Sequence, residues 1–133
     1  MTTPHYHAVI WIDHREARVF HFSPTEVERL VVHPEHPTKH IHHKANCIGS
    51  GHAAADQEYL QAVAESVADA GAILITGPAN AKTELIKHLH RHSPDRIDAI
   101  AGVETVDHPS DGELVAHARK YFKAEDRMHS RAP

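Results

Sequence analysis

Between His33 and His52 the chain places six histidines, two lysines and its single cysteine within twenty residues. These residue types hold phosphates or metal ions. Lys39, Lys44 and protonated His40, His42 and His43 can neutralise phosphate charge, and histidine changes its own charge near neutral pH. Gly49 and Gly51 let a backbone approach a ligand closely. Gly49-Ser50-Gly51-His52 also stands directly ahead of a helix start, where free amides and the helix dipole favour an anion. It has neither the lysine of a P-loop nor the spacing of a dinucleotide fingerprint. Most connections run about 4–6 residues, and much longer ones tend to be functional or disordered. The segment is therefore the first candidate for contact with a polyanion, and Lys82 and Lys87 extend its basic surface.

The same residues suit a metal. His40 and His42 share one side of an extended backbone, and His43, Cys47 and His52 are near in sequence. Zinc accepts histidine nitrogen and cysteine sulfur in a tetrahedral shell, although these spacings match no standard zinc module. Histidines beside Cys47 would also lower the pKa of its thiol, but no motif fixes a partner carboxylate for it. A two-metal nuclease would need several carboxylates at strand ends. Asp13, Glu58 and Asp107 are candidates, yet the fourth strand ends in Ile75-Thr76-Gly77 with no acid. His88, His90 and His92 read as a polar outer face that complements a helix C-terminus when charged.

The elements that must position these groups follow from periodicity. Tyr6–Asp13, Ala17–Phe22 and Val27–His33 read as three strands joined by polar turns, an antiparallel meander. After the histidine segment the apolar spacing becomes three and four: Leu60, Val63, Ala64, Val67 and Ala68 predict a helix over Ala53–Ala70, stopped by Gly71. Ala72–Thr76 is a strand apolar on both faces. Asn80 is placed to cap a helix over Ala81–His92 with Leu85, Ile86 and Leu89 inward, ended by Ser93-Pro94. Ile97–Val106 reads as a fifth strand interrupted by Gly102. Ser110-Asp111-Gly112-Glu113 is a capping box that opens a last helix with Leu114, Val115, Ala118, Tyr121 and Phe122 inward. Glu125–Pro133 is polar and is expected to fray. The reading is a single α/β domain over 1–125 with a polar tail over 126–133. A mixed five-stranded sheet carries helices on its faces in a ribonuclease-H-like order, the fourth and fifth strands parallel through their helix.

Composition agrees with an ordinary globule: 133 residues, 41% hydrophobic and 24% charged. No apolar run approaches the ~20 residues that span a bilayer. The start Met1-Thr2-Thr3-Pro4-His5 lacks the basic and apolar parts of a secretory signal. One cysteine cannot form an internal disulfide, so the expected compartment is the cytoplasm. Net charge is -4 with histidine neutral, and adding sixteen positive charges gives +12. The acidic balance disfavours strong nucleic-acid binding at neutral pH while leaving room for a local basic face.

Ala72-Ile73-Leu74-Ile75-Thr76-Gly77-Pro78-Ala79-Asn80-Ala81-Lys82-Thr83-Glu84-Leu85 resembles the apolar strand, Gly-Pro turn and Lys-containing helix start in the middle domain of archaeo-eukaryotic peptide-chain release factors and Pelota proteins. The chain is similar to their short bacterial relatives, described as translational machinery proteins, from about Tyr6 to Phe122. In this resemblance Gly49-Ser50-Gly51-His52 occupies the place of the family's Gly-Gly-Gln loop. Ser50 intrudes on the paired glycines, His52 stands where the glutamine is expected, and Gln57 lies five residues further on. Release activity is therefore not carried over. The resemblance implies a non-catalytic, translation-associated domain that binds ribosomal or transfer RNA through residues 33–52. Lys39, His40, His42, His43, Lys44, Gly49, Ser50, Gly51 and His52 are the contacts. The alternatives are a zinc protein using His40, His42, His43, Cys47 and His52, and a peptidyl-tRNA hydrolase with His52 as general base.

Overall fold

A computed structural model describes residues 7–23, 25–34 and 57–130, with side chains as far as residue 124. β1 (His7–Ile12), β2 (Ala17–Phe22) and β3 (Val27–Val32) form the expected antiparallel meander. β4 (Ala72–Gly77) then pairs parallel with β1, and β5 (Ile100–Thr105) parallel with β4. The sheet order is β3-β2-β1-β4-β5. Three helices flank it: α1 over 57–66, α2 (Ala81–His92) and α3 (Asp111–Ser130). The architecture is a single α/β domain with a mixed sheet.

Strand alternation sorts the core into two layers. Ala8, Ile10, Ile12, Val19, Ile73 and Ile75 face α1 and α2, meeting Leu60, Val63, Val67, Leu85 and Leu89. Val9, Trp11, Phe20, Phe22 and Leu74 face α3, meeting Leu114, Ala118 and Phe122. β1 and β4 are buried on both faces, as their apolar runs require. β2 is also covered on both faces, because α3 takes Phe20 and Phe22.

Gly77 ends β4 because a Cβ there would run into the carbonyl oxygen of Ile12. Its own carbonyl accepts the Val106 amide at 3.1 Å, joining the ends of β4 and β5. Thr76, wholly buried, is satisfied by donating its hydroxyl to the Ile10 carbonyl at 2.8 Å.

Four expectations need correction. The fifth strand starts at Ile100, and Pro94–Ala99 is a 3-10 helix. That turn delivers Arg96 to the end of the first helical segment, where its guanidinium donates to the carbonyls of Val67 at 3.1 Å and Ala70 at 2.6 Å, groups a helix end leaves open. Gly102 does not break β5. It makes room for Tyr121, whose hydroxyl donates to the Ala101 carbonyl at 2.8 Å, and β5 keeps its pairing through a register shift between Ile73 and Leu74. Asn80 holds the N-cap position of α2, but with helical φ and ψ and no side-chain hydrogen bond. Lastly, α3 extends to Ser130, past Glu125, the expected start of the tail. The first helix is seen over 57–66 and closes through turns to Ala70, while its expected start at 53–56 lies outside the described residues.

The capping box forms as read. Ser110 donates its amide to Glu113 Oε1 at 2.9 Å, and the Glu113 amide donates to Ser110 Oγ at 3.1 Å.

Candidate functional site

β1, β4 and β5 all end on one edge of the sheet, and the described residues that flank 35–56 lie there too. β3 closes with Val32 opposite Ala17, and His33 follows with Nε2 3.6 Å from the Glu16 carboxylate. On the other side of residues 35–56, Tyr59 of α1 donates its hydroxyl to the Asp13 carbonyl at 2.9 Å. Between these anchors sits the tight β1–β2 turn. Asp13 Oδ1 accepts the amides of Arg15 and Glu16 at 2.8 and 3.0 Å, an Asx turn.

The same edge carries an array of histidine–carboxylate neighbours. His14 lies 3.5 Å from Glu84, His33 as above from Glu16, and His108 3.8 Å from Asp13. All three histidines are exposed, so each pair adds little to stability. A stiffer unit stands beside them. The Arg18 guanidinium lies over the Trp11 ring at 4.6 Å and donates to the Pro109 carbonyl at 3.0 Å and Asp111 Oδ1 at 2.7 Å. Arg29 meets the other Asp111 oxygen at 2.7 Å. The Arg18 hydrogen bond, opposed by burial and aided by the charge of Arg29, holds the Asp111 carboxyl below the ordinary carboxylate value. Trp11 Nε1 donates to the Asp107 carbonyl at 2.7 Å. This network fixes the start of α3 on the sheet edge.

Lys39, His40, His42, His43, Lys44, Cys47, Gly49, Ser50, Gly51 and His52 lie outside the described residues. Of the two supporting lysines, Lys87 is exposed. Lys82 is not part of a basic surface: it is buried, and its ammonium donates to the Ala79 carbonyl at 2.7 Å beneath the first turn of α2. Asp13 and Asp107 do share the sheet edge, where the Asp13 carboxylate holds the turn and Asp107 meets Trp11 through its main-chain carbonyl. Among the described residues no three histidine, cysteine or acidic side chains are grouped to hold a metal ion.

The sequence reading missed one polar centre. His88 is not on the outer face of α2: it is only 6% exposed and is wedged against α1. Its Nδ1 is 2.9 Å from Gln57 Oε1 and its Nε2 is 2.8 Å from Gln61 Oε1. The ring of His92 lies 4.5 Å away, and a groove of about 450 Å³ opens beside it, lined by Gln57, Glu58, Gln61, Ala62, Glu65 and both histidines. Burial first, then the charges of His92 and Arg91, push the His88 pKa down. The available signal was the spacing Leu85, His88, Leu89, Ala81, which places His88 on the inward stripe of α2.

No family model and no curated protein matches the chain. Solved structures do. Pelota from Archaeoglobus fulgidus superposes with a TM-score of 0.64 at 14% identity, covering 98% of this chain and 37% of that one. The fold is Pelota-like. A second Pelota, from Thermoplasma acidophilum, gives a TM-score of 0.54 at 15% identity over 82% of this chain and 30% of its own. The archaeal translation termination factor aRF1 gives 0.52 at 14% identity over 93% and 39%. The chain thus spans less than two fifths of the length of these structures, and at such identities the likeness to Pelota is one of fold. Among the described residues no helix is long and apolar enough to cross a membrane.

Proposed function

We propose that this chain is a translation-associated, cytoplasmic domain that binds ribosomal or transfer RNA through residues 33–52, without peptide-release chemistry. The observation that carries the reading is the fold: it is similar over most of the chain to segments of Pelota and of an archaeal translation termination factor. The anchoring of both flanks supports it. The β2–β3 pairing up to Val32 and the Tyr59 hydrogen bond fix the described chain on either flank of residues 35–56 at the same end of a stiff sheet. Lys39, Lys44 and the protonated histidines supply phosphate contacts, while Gly49, Ser50 and Gly51 let the backbone come close. With Lys82 committed to α2, Lys87 is the lysine of that helix open to a phosphate.

This reading makes binding steeply dependent on salt, because neutralising phosphates releases counterions, and on pH, because histidines supply much of the charge. Capture of ribosomal subunits from a bacterial lysate on the immobilised full chain, at low and high salt, tests it. Ribosomal RNA retained at low salt and released at high salt supports the proposal, and its absence at low salt refutes it. The zinc reading rests on residue types at 40–52 alone. Stoichiometric heat on zinc titration that disappears in His42→Ala would replace the RNA reading.

A further inference from the structure

Two carbonyl oxygens face the two ring nitrogens of His88, from Gln57 at 2.9 Å and Gln61 at 2.8 Å. An imidazolium has two N–H groups and satisfies both. A neutral imidazole has one, so one glutamine amide must turn and offer its NH2 to the bare nitrogen. Which one turns is decided by a neighbour. Gln61 Nε2 donates to Glu65 Oε2 at 2.9 Å, one helical turn along α1, which keeps the Gln61 carbonyl pointed at His88. Gln57 has no such anchor among the described residues. Neutral His88 therefore carries its proton on Nε2, bonded to Gln61, and accepts the Gln57 NH2 on Nδ1.

We propose that His88 is a proton-operated latch on the start of α1: gaining a proton makes its Nδ1 a donor, and the Gln57 amide must then exchange its NH2 for its carbonyl oxygen. The Gln61 contact stays as it is. Acidification thus resets the hold of α2 on the first described turn of α1 without parting the helices. The contact is shielded enough to count, since His88 is nearly buried in the interface.

The charges around the ring set the direction. From α2 come His92, with its ring 4.5 Å away, and Arg91; from α1, Glu58 and Glu65 line the same groove. Burial and the positive neighbours favour the neutral ring, so the latch is in its NH2 state at neutral pH. The folded protein binds this proton less readily than the unfolded chain. Stability from this group is therefore complete above the ordinary histidine value and declines as pH falls below it.

Nitrogen-15 NMR of the full chain tests the latch. The expected result is a His88 ring protonated on Nε2 at neutral pH, titrating below the ordinary histidine value. The Gln57 side-chain amide is expected to move with the His88 midpoint while the Gln61 amide stays nearly still. Gln57→Glu, which offers only acceptors and a negative charge, is expected to raise the His88 midpoint by about one pH unit. A Gln57 amide that does not respond across the His88 transition overturns the proposal, as does an unchanged midpoint in Gln57→Glu.

Discussion

The hydroxyl of Tyr59 and the carbonyl oxygen of Asp13 meet at 2.9 Å, bonding the first helix to the sheet edge where β3 also ends. Tyr59 is otherwise buried against the core layer of β1 and β4. This bond, with the packing of Leu60 and Val63, sets where the described chain resumes at α1. Tyr59→Phe keeps the ring and removes the donor, leaving Asp13 a carbonyl that water can reach. The expected loss is about 1 kcal/mol in urea unfolding, with an unchanged slope. An unchanged midpoint would show that the bond does not hold α1.

Gly77 leaves no room for a side chain against β1. Since a Cβ there meets the Ile12 carbonyl oxygen, which belongs to the sheet backbone, neither side can move aside cheaply. Gly77→Ala is expected to cost about 2 kcal/mol or more by strain of the β1–β4 pairing, read from thermal or urea unfolding. Gly112, with open space around its Cβ position, is the matched control: Gly112→Ala lies in the first turn of α3 and is expected to be neutral or stabilising.

Asp111 joins β2, β3 and α3 through Arg18 and Arg29. Its carboxyl sits below the ordinary value, so the unfolded chain takes up the proton first. Its contribution is present in full above the ordinary carboxylate pKa and disappears as pH falls through the lower folded value. Asp111→Asn is expected to destabilise at pH 7 by more than the ~0.5 kcal/mol typical of surface substitutions. The gap to the native chain should close as unfolding is repeated at lower pH. A gap independent of pH would contradict the ion-pair account.

How far the sequence foretold this depends on the range of each signal. Local signals were sufficient for β2, for α2 from Ala81 to His92 and for the Ser110–Glu113 box, because period and capping act within a few residues. Ile97–Ala99 misled because Ile97, Ala99 and Ala101 alternate like a strand. Their inward side is set by Arg96 reaching carbonyls 26 and 29 residues earlier, which no local pattern encodes. His88 misled in another way: its spacing from Ala81, Leu85 and Leu89 is an inward stripe, but the glutamines that satisfy it there, Gln57 and Gln61, lie 31 and 27 residues away. Lys82 looked like surface charge because its acceptor is a backbone carbonyl of the Gly-Pro turn rather than an acid.

Residues 33–52 are proposed to bring this Pelota-like fold to ribosomal RNA. The most direct test is cosedimentation of the full chain with purified ribosomal subunits, comparing the native sequence with a variant in which Gly49, Ser50, Gly51 and His52 are all alanine. The native chain is expected to pellet with subunits at low salt and the variant to stay largely in the supernatant while its circular dichroism and unfolding midpoint match the native chain. Equal pelleting of the two proteins would contradict the proposal.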